Sequence, residues 1–159
     1  MEIVRWPFTK RSFPEPCVAV GPYRIDLRID GLQGLVPLSQ RELSLLNRAV
    51  AYEGEGVWHA PDSQFMGKTW DVILGTVDGG VYKISAQWTG PRHEAGALHR
   101  EVAVLCTRRY GKPSPGALLL WDASDGNMVL DVANIGSEGI VNFFVTSRMV
   151  RSFKRTYPA

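Results

Sequence analysis

Two polar side chains in a glycine-rich segment could act together on a substrate. His59 and Asp62 lie three residues apart within residues 53–69, whose glycines and polar groups predict a loop. An imidazole beside a carboxylate can exchange protons near neutral pH, so the pair is a catalytic candidate. It predicts, as an alternative function, a small hydrolase-like enzyme with its site at loop 53–69. A turn around Pro61 explains the same residues without any chemistry.

The other patterns that could carry chemistry are incomplete. Gly67-Lys68-Thr69 ends like a phosphate-binding loop, but Asp62 stands where that motif has its first glycine. His93 and His99 are six residues apart and would diverge on a helix, so no zinc site is predicted. No G-x-S-x-G nucleophile segment is present. We therefore expect no metal and no cofactor. The sequence leaves open whether the protein is an enzyme, although it favours a non-catalytic protein.

The charges nearly balance, which excludes a uniformly basic protein. Eighteen Lys and Arg residues face 16 Asp and Glu residues, a net charge of +2. Residues 113–140 hold four acidic and no basic side chains, whereas residues 141–159 hold four basic and no acidic ones. The simplest arrangement folds the basic tail near the acidic turns. The alternative is a weak nucleic-acid binder that uses Arg108, Arg109, Lys112, Arg151, Lys154 and Arg155 in one patch.

Large aromatic side chains are the best candidates for a binding surface. Five tryptophans is a high number for 159 residues, and one of them, Trp58, lies in the predicted loop. Aromatic groups on an uncovered sheet face mark partner sites. The candidates are Trp58, Trp88, Trp121 and Tyr82. The main functional prediction is a small non-catalytic module of inhibitor, immunity or adaptor type that binds a protein partner or forms a homodimer with a second copy of itself.

Hydrophobic periodicity predicts the elements that carry these residues. Tyr23 to Asp30 alternates apolar and charged residues, which predicts a half-buried strand. Ser39-Gln40-Arg41-Glu42 is a capping box that opens a helix over about 40–52. Asp78-Gly79-Gly80 separates two β-rich runs and predicts a hairpin over 70–88.

The second half of the chain predicts a helix and then a meander. Apolar residues at helical spacing between Ala95 and Cys106, followed by Gly111, predict a helix over about 94–110. Three strands at about 117–122, 127–133 and 140–146 follow, with a short terminal helix that turns Met149 inward. The predicted fold is α+β, with a mainly antiparallel sheet of about six or seven strands packed with two main helices. We predict a single compact domain over 1–159, with an irregular proline-rich lead-in at about 1–16.

The sequence predicts a cytoplasmic protein with no membrane segment. Charged residues and prolines interrupt every apolar run near the N-terminus, and no stretch approaches the length of a membrane span. The two cysteines, Cys17 and Cys106, form no C-x-x-C pair, and both are expected to be buried thiols of a reducing compartment.

Overall fold

Seven antiparallel strands form one sheet in the computed structural model, which describes residues 15–45 and 52–156. Within these ranges two α-helices and two short 3-10 helices accompany the sheet, so the fold is α+β with β-structure predominant, as predicted. The strands are β1 (Val36–Pro37), β2 (Glu55–Phe65), β3 (Lys68–Val77), β4 (Gly80–Pro91), β5 (Leu119–Asp122), β6 (Gly126–Ile135) and β7 (Glu138–Ser147). The helices are α1 (Gln40–Leu45) and α2 (Arg92–Tyr110), and the 3-10 helices are Ile29–Gly31 and Arg148–Ser152.

Two meanders make up the sheet. Strands β2 to β4 pair in sequence, as do strands β5 to β7, and β4 pairs with β7 to join the two halves. The complete strand order is β1-β2-β3-β4-β7-β6-β5. The central β4–β7 pair places Gln87 opposite Asn142 and so unites positions that are distant in the chain.

The segment predicted as loop 53–69 is mostly a strand, so that prediction was wrong. β2 runs from Glu55 to Phe65 and pairs with β3 through most of its length. The register shifts between Ala60 and Ser63, so Pro61 and Asp62 form a bulge. A bulge accommodates a proline that cannot donate to the ladder, which is why the turn-like composition does not end the strand.

The predicted hairpin over 70–88 is confirmed. β3 and β4 flank the turn, in which Asp78 has a φ of 50° and Gly79 a φ of 82°. Two consecutive positive φ angles are the signature of a type I′ turn, whose twist matches that of the strands. The positive φ of Gly79 favours glycine at this position.

Helix α2 agrees closely with its prediction. It begins two residues early, at Arg92, and ends at Tyr110 as expected. Gly111 follows with a φ of 90°, and its amide donates to the Thr107 carbonyl. The predicted apolar stripe is the buried face, formed by Ala95, Leu98, Val102 and Cys106, with Leu105 half-buried beside it.

Helix α1 opens with the predicted capping box. The Ser39 amide donates to Glu42 Oε2 over 2.8 Å, and the Glu42 amide donates to Ser39 Oγ over 3.2 Å. The two bonds satisfy amides that a helix start would otherwise leave unpaired. Residues 46–51 of the predicted helix over 40–52 lie outside the described residues, and Tyr52 forms an isolated bridge with Arg155 instead of a helical turn.

The alternating segment from Tyr23 to Asp30 has the predicted sidedness but not the predicted backbone. Tyr23 and Ile25 are buried, while the charged residues between them are exposed. Asp26 has a φ of 69°, which no regular strand permits, and the chain continues into a 3-10 turn. Alternation reports which side chains are buried, and an irregular chain lying on a sheet produces the same pattern as a strand.

The C-terminal helix predicted after Thr146 is a single 3-10 turn. It spans Arg148–Ser152 and is capped by Ser147, whose Oγ accepts from the Met149 amide over 3.1 Å. Met149 is 57 % exposed and therefore does not turn inward as predicted. Phe153 follows the turn and contacts the rings of Tyr52 and Tyr82.

One face of the sheet carries the core. α2 packs on β4, β5, β6 and β7. The chain before β1 covers the remaining half, where the Asp26 amide donates to the Val81 carbonyl and the Ile29 amide to the Gly79 carbonyl. The largest fully buried side chains include Trp70, Trp121, Phe143, Leu74, Ile84 and Leu98.

Candidate binding face

The face of the sheet opposite α2 presents a row of mostly apolar side chains. The strand registers place Ile73, Ser85, Phe144, Val129 and Leu120 side by side across five strands. These five side chains are half-buried and lie outside the core cluster beneath α2. We call them the apolar row. Contiguous apolar groups that keep contact with solvent are typical of interaction surfaces.

A polar row runs beside the apolar row. Asp71, Gln87, Asn142 and Asp131 are consecutive partners on β3, β4, β7 and β6. Gln87 Nε2 donates to Asn142 Oδ1 over 3.0 Å, which orients both amides across the centre of the sheet. At the β2 end, His59 Nε2 lies 2.6 Å from Asp71 Oδ1. We refer to the apolar and polar rows together as the open face.

A third set of polar side chains borders the apolar row on its other side. Lys83, Thr146 and Asn127 are consecutive partners there, and the Lys83 ammonium lies 5.8 Å from the centre of the Phe144 ring. The face is therefore an apolar strip between two polar borders. The charged side chains of the face include Asp71, Asp131, Lys83 and, at the end of the border, Asp122.

His59 pairs with a different carboxylate from the one predicted. Its partner is Asp71 on the neighbouring strand, whereas Asp62 lies exposed in the bulge of β2. The side chains of His59 and Asp71 are 49 % and 54 % exposed, and a polar contact in such an environment stabilises a fold little. Ser85 carries the hydroxyl of the apolar row. It lies two strands away from His59, which is about 10 Å at ordinary strand spacing. The geometry is that of a cross-strand pair and not of a nucleophile with its base.

Three of the four aromatic side chains predicted to bind a partner are buried. Trp121 is 2 % exposed, Tyr82 6 % and Trp88 9 %. Tyr82 faces a small cluster with Tyr52 and Phe153 and donates to Glu55, and Trp88 lies beneath Lys68. Trp88 and Trp121 belong to the hydrophobic core cluster, so they pack the interior. Trp58 is half-buried, and its Nε1 donates to Thr76 Oγ1 over 3.0 Å.

The basic residues of the nucleic-acid alternative lie in two groups. Arg108 and Arg109 belong to the last turn of α2, and Lys112 follows it; Arg109 Nε donates to Glu15 over 2.8 Å. The tail residues Arg151, Lys154 and Arg155 lie at and after the last 3-10 turn. There the Lys154 ammonium lies 3.5 Å from Glu53, and Arg155 bridges to Tyr52 through its backbone.

The basic tail folds onto the acidic turns at one point. The Arg148 amide donates to the Asp125 carbonyl and its guanidinium donates to the Ala123 carbonyl over 2.8 Å. The ion pair of Lys154 is made with Glu53, which lies outside the acidic segment 113–140. Among the basic side chains of the tail that the structure describes, Arg148 is therefore the one that contacts the turn at 123–125.

Both cysteines are buried free thiols. Burial raises the pKa of the Cys106 thiol to about 12 and, together with nearby Asp125, raises the pKa of Cys17 further above its ordinary range. A thiol that stays protonated is a poor nucleophile, so neither cysteine is suited to catalysis.

The sequence contained a partial signal for the open face. Alternation in β4 places Lys83, Ser85 and Gln87 opposite the buried residues, and the sequence alone shows this pattern. In β7 the neighbours Phe143 and Phe144 are identical residues, but Asn142 and Thr146 share the side of Phe144, whereas Val141 and Val145 share the side of Phe143. Asp71 was missed because its partner His59 lay in a segment read as a loop.

No family model, curated protein or solved structure matches this chain. Of the helices in the described ranges, none has the length and apolar character that a membrane crossing requires. Likewise, residues 15–45 and 52–156 contain no group of three or more His, Cys, Asp or Glu side chains that could share a metal ion.

Proposed function

We propose that this protein is a non-catalytic binding module of inhibitor, immunity or adaptor type, and that the open face is its binding surface. The supporting observation is the apolar row, which exposes part of Ile73, Phe144, Val129 and Leu120 between polar borders. An apolar centre inside a polar rim is the usual anatomy of a protein–protein interface. The unpaired thiols Cys17 and Cys106 support a cytoplasmic location as part of the same proposal.

The proposed occupant is a different protein with an excess of basic side chains. The borders of the apolar row carry Asp71, Asp131 and Asp122 against Lys83. In a face-to-face dimer whose twofold axis follows the strands between β4 and β7, Asp71 would meet Asp131 of the other copy. Like charges that meet in an interface cost several kcal/mol, so a second copy is the poorer fit. A basic partner would instead approach faster and in a defined orientation.

The experiment compares affinity capture by the native chain, by Phe144→Ala and by the control Val104→Ala. Phe144 stands at the centre of the apolar row, whereas Val104 is 48 % exposed on α2, on the other side of the sheet. A captured protein is then purified and titrated against all three chains. We expect Phe144→Ala to weaken binding at least about 30-fold, the effect of losing a central aromatic anchor, and Val104→Ala to leave it unchanged.

Amide hydrogen exchange in the purified complex locates the contact. Protection of β3, β4 and β7 amides around the apolar row supports the proposal. It fails if the native chain retains no protein that Phe144→Ala loses, or if the partner protects other surfaces.

A further inference from the structure

A groove lies on the side of the sheet that carries α2, between this helix and the outer edge of β6. It has a volume of about 700 Å³ and is lined by Arg92, His93, Gly96, Arg100, Val132 and Asn134. Ser137 closes one end, where its carbonyl accepts from the Arg92 amide over 3.0 Å. Gly96 contributes no side chain, so the helix surface opposite the strand is recessed. None of these residues belongs to the open face.

Along this groove, no strand of residues 15–45 or 52–156 other than β7 pairs with β6. β5 pairs with β6 only from Asn127 to Leu130, and in the described part of the chain no strand continues beside β6 from Asp131 to Ile135. The β6–β7 hairpin closes through a two-residue loop, so Ile135 and Glu138 form a hydrogen-bonded pair. Antiparallel pairing alternates from there, and the amides and carbonyls of Val132 and Asn134 point away from β7 into the groove.

Apart from the charged Asp131 at its start, this edge lacks the side chains that usually prevent strand pairing. Native sheets protect their edges with lysine, proline, bulges or covering segments. The run from Asp131 to Ile135 contains neither lysine nor proline, and it pairs with β7 without a register shift. Ile135 is 68 % exposed, the most exposed large apolar side chain in the described ranges.

The groove is basic. Arg92, His93 and Arg100 line it, and none of them forms an ion pair with a carboxylate of residues 15–45 or 52–156. Two guanidinium groups beside backbone donors and acceptors that point away from β7 suit an extended chain with carboxylate side chains.

We propose that this groove binds an extended acidic segment of a partner protein, which adds to β6 as an eighth strand beneath α2. Backbone hydrogen bonds to Val132 and Asn134 supply affinity, and Arg92 and Arg100 select acidic side chains. A second copy fits less well, because pairing β6 with its own copy would bring Arg92 and Arg100 of both chains together. This site is separate from the open face and does not depend on the function proposed there.

The test titrates the full chain with a defined peptide. The probe is an acetylated and amidated octapeptide, Glu-Val-Glu-Thr-Glu-Val-Glu-Thr, and its control carries lysine at every glutamate. Amide chemical shifts of the isotope-labelled protein are followed by NMR in about 0.15 M salt, where distant charges are screened. We expect the amides of Val132, Asn134 and Gly96 to shift with the acidic peptide, and the lysine peptide to bind at least about tenfold more weakly.

Three variants separate strand addition from general charge attraction. Arg100→Glu weakens binding about tenfold or more, whereas Arg108→Glu, the same charge change on the same helix but outside the groove, leaves it within about twofold. Asn134→Pro removes an amide that points away from β7 and so abolishes binding while leaving the fold intact.

The proposal is overturned if the acidic peptide shifts no amide in the groove, or if Arg108→Glu weakens binding as much as Arg100→Glu. A dimer in analytical ultracentrifugation that Asn134→Pro dissociates would replace it with self-association through β6.

Discussion

Phe143 and Phe144 are adjacent in β7 and chemically identical, but they should respond very differently to truncation. Phe143 is completely buried, and its ring stacks on Phe65 at a centroid distance of 5.7 Å. Phe144 points to the opposite side of the sheet, lies outside the core cluster and is only half-buried. Each is replaced by alanine in turn, so the chemistry of the change is constant and only the environment differs.

The structure sets both magnitudes. Removing a fully buried phenylalanine ring costs about 3–5 kcal/mol, which includes the lost stacking on Phe65. For a chain of this length each kcal/mol lowers Tm by about 2–4 °C, so a loss of about 4 kcal/mol in Phe143→Ala lowers Tm by about 8–16 °C. Phe144→Ala loses cross-strand contacts and the nearby Lys83 ammonium, together about 1 kcal/mol, which lowers Tm by about 2–4 °C.

Urea unfolding followed by tryptophan fluorescence measures both free energies, with circular dichroism as the check on secondary structure. We expect equal m-values and a difference of about 3 kcal/mol between the variants. If Phe144→Ala is as destabilising as Phe143→Ala, Phe144 is covered in the folded protein and the open face does not exist. If Phe143→Ala costs less than about 1 kcal/mol, the assignment of the two faces of β7 is reversed.

Three further outcomes follow from local features. Ser39→Ala removes the acceptor of the Glu42 amide and should lower the free energy of unfolding by about 1 kcal/mol in urea titrations; no change would mean that the capping box does not stabilise the fold. Because burial raises the pKa of Cys17 and Cys106, both thiols should react with Ellman's reagent about a hundredfold more slowly in native than in unfolded protein, and rapid labelling of the native chain would contradict their burial. Burial lowers the pKa of His99 below its ordinary 6.5, so the unfolded chain binds the proton more readily and stability should fall as the pH drops through 6.5 towards the folded-state pKa. Unfolding of His99→Gln should lose less free energy over that range, and identical pH profiles would refute the contribution of His99.

Local signals predicted the elements whose structure depends on near neighbours. The capping box, the type I′ turn at Asp78-Gly79 and the glycine that ends α2 each rest on bonds or dihedral preferences within a few residues. The apolar stripe of α2 is predictable for the same reason, because residues three or four positions apart lie on the same face of a helix. Where the backbone was irregular, as around Asp26, alternation reported burial correctly and secondary structure incorrectly.

The candidate site was much harder to predict, because it is made by pairing between distant strands. His59 looked like a partner of Asp62, three residues away, until the β2–β3 register placed it beside Asp71. The composition of residues 53–69 predicts a loop. Hydrogen bonding with β3, together with the bulge at Pro61, makes most of this segment a strand.

Composition and periodicity are sufficient to predict an α+β chain with a mainly antiparallel sheet, because apolar side chains turn away from water on one face of each element. The union of β4 with β7 and the free edge of β6 depend on which elements meet, and that is settled by the packing of the whole core. Alternation along a strand indicates which of its faces is buried, but its residues do not say which strand will pair with each of its edges. Both proposed binding surfaces lie where no helix or strand of the described residues covers the sheet. One is on a face of the sheet and the other is on an edge.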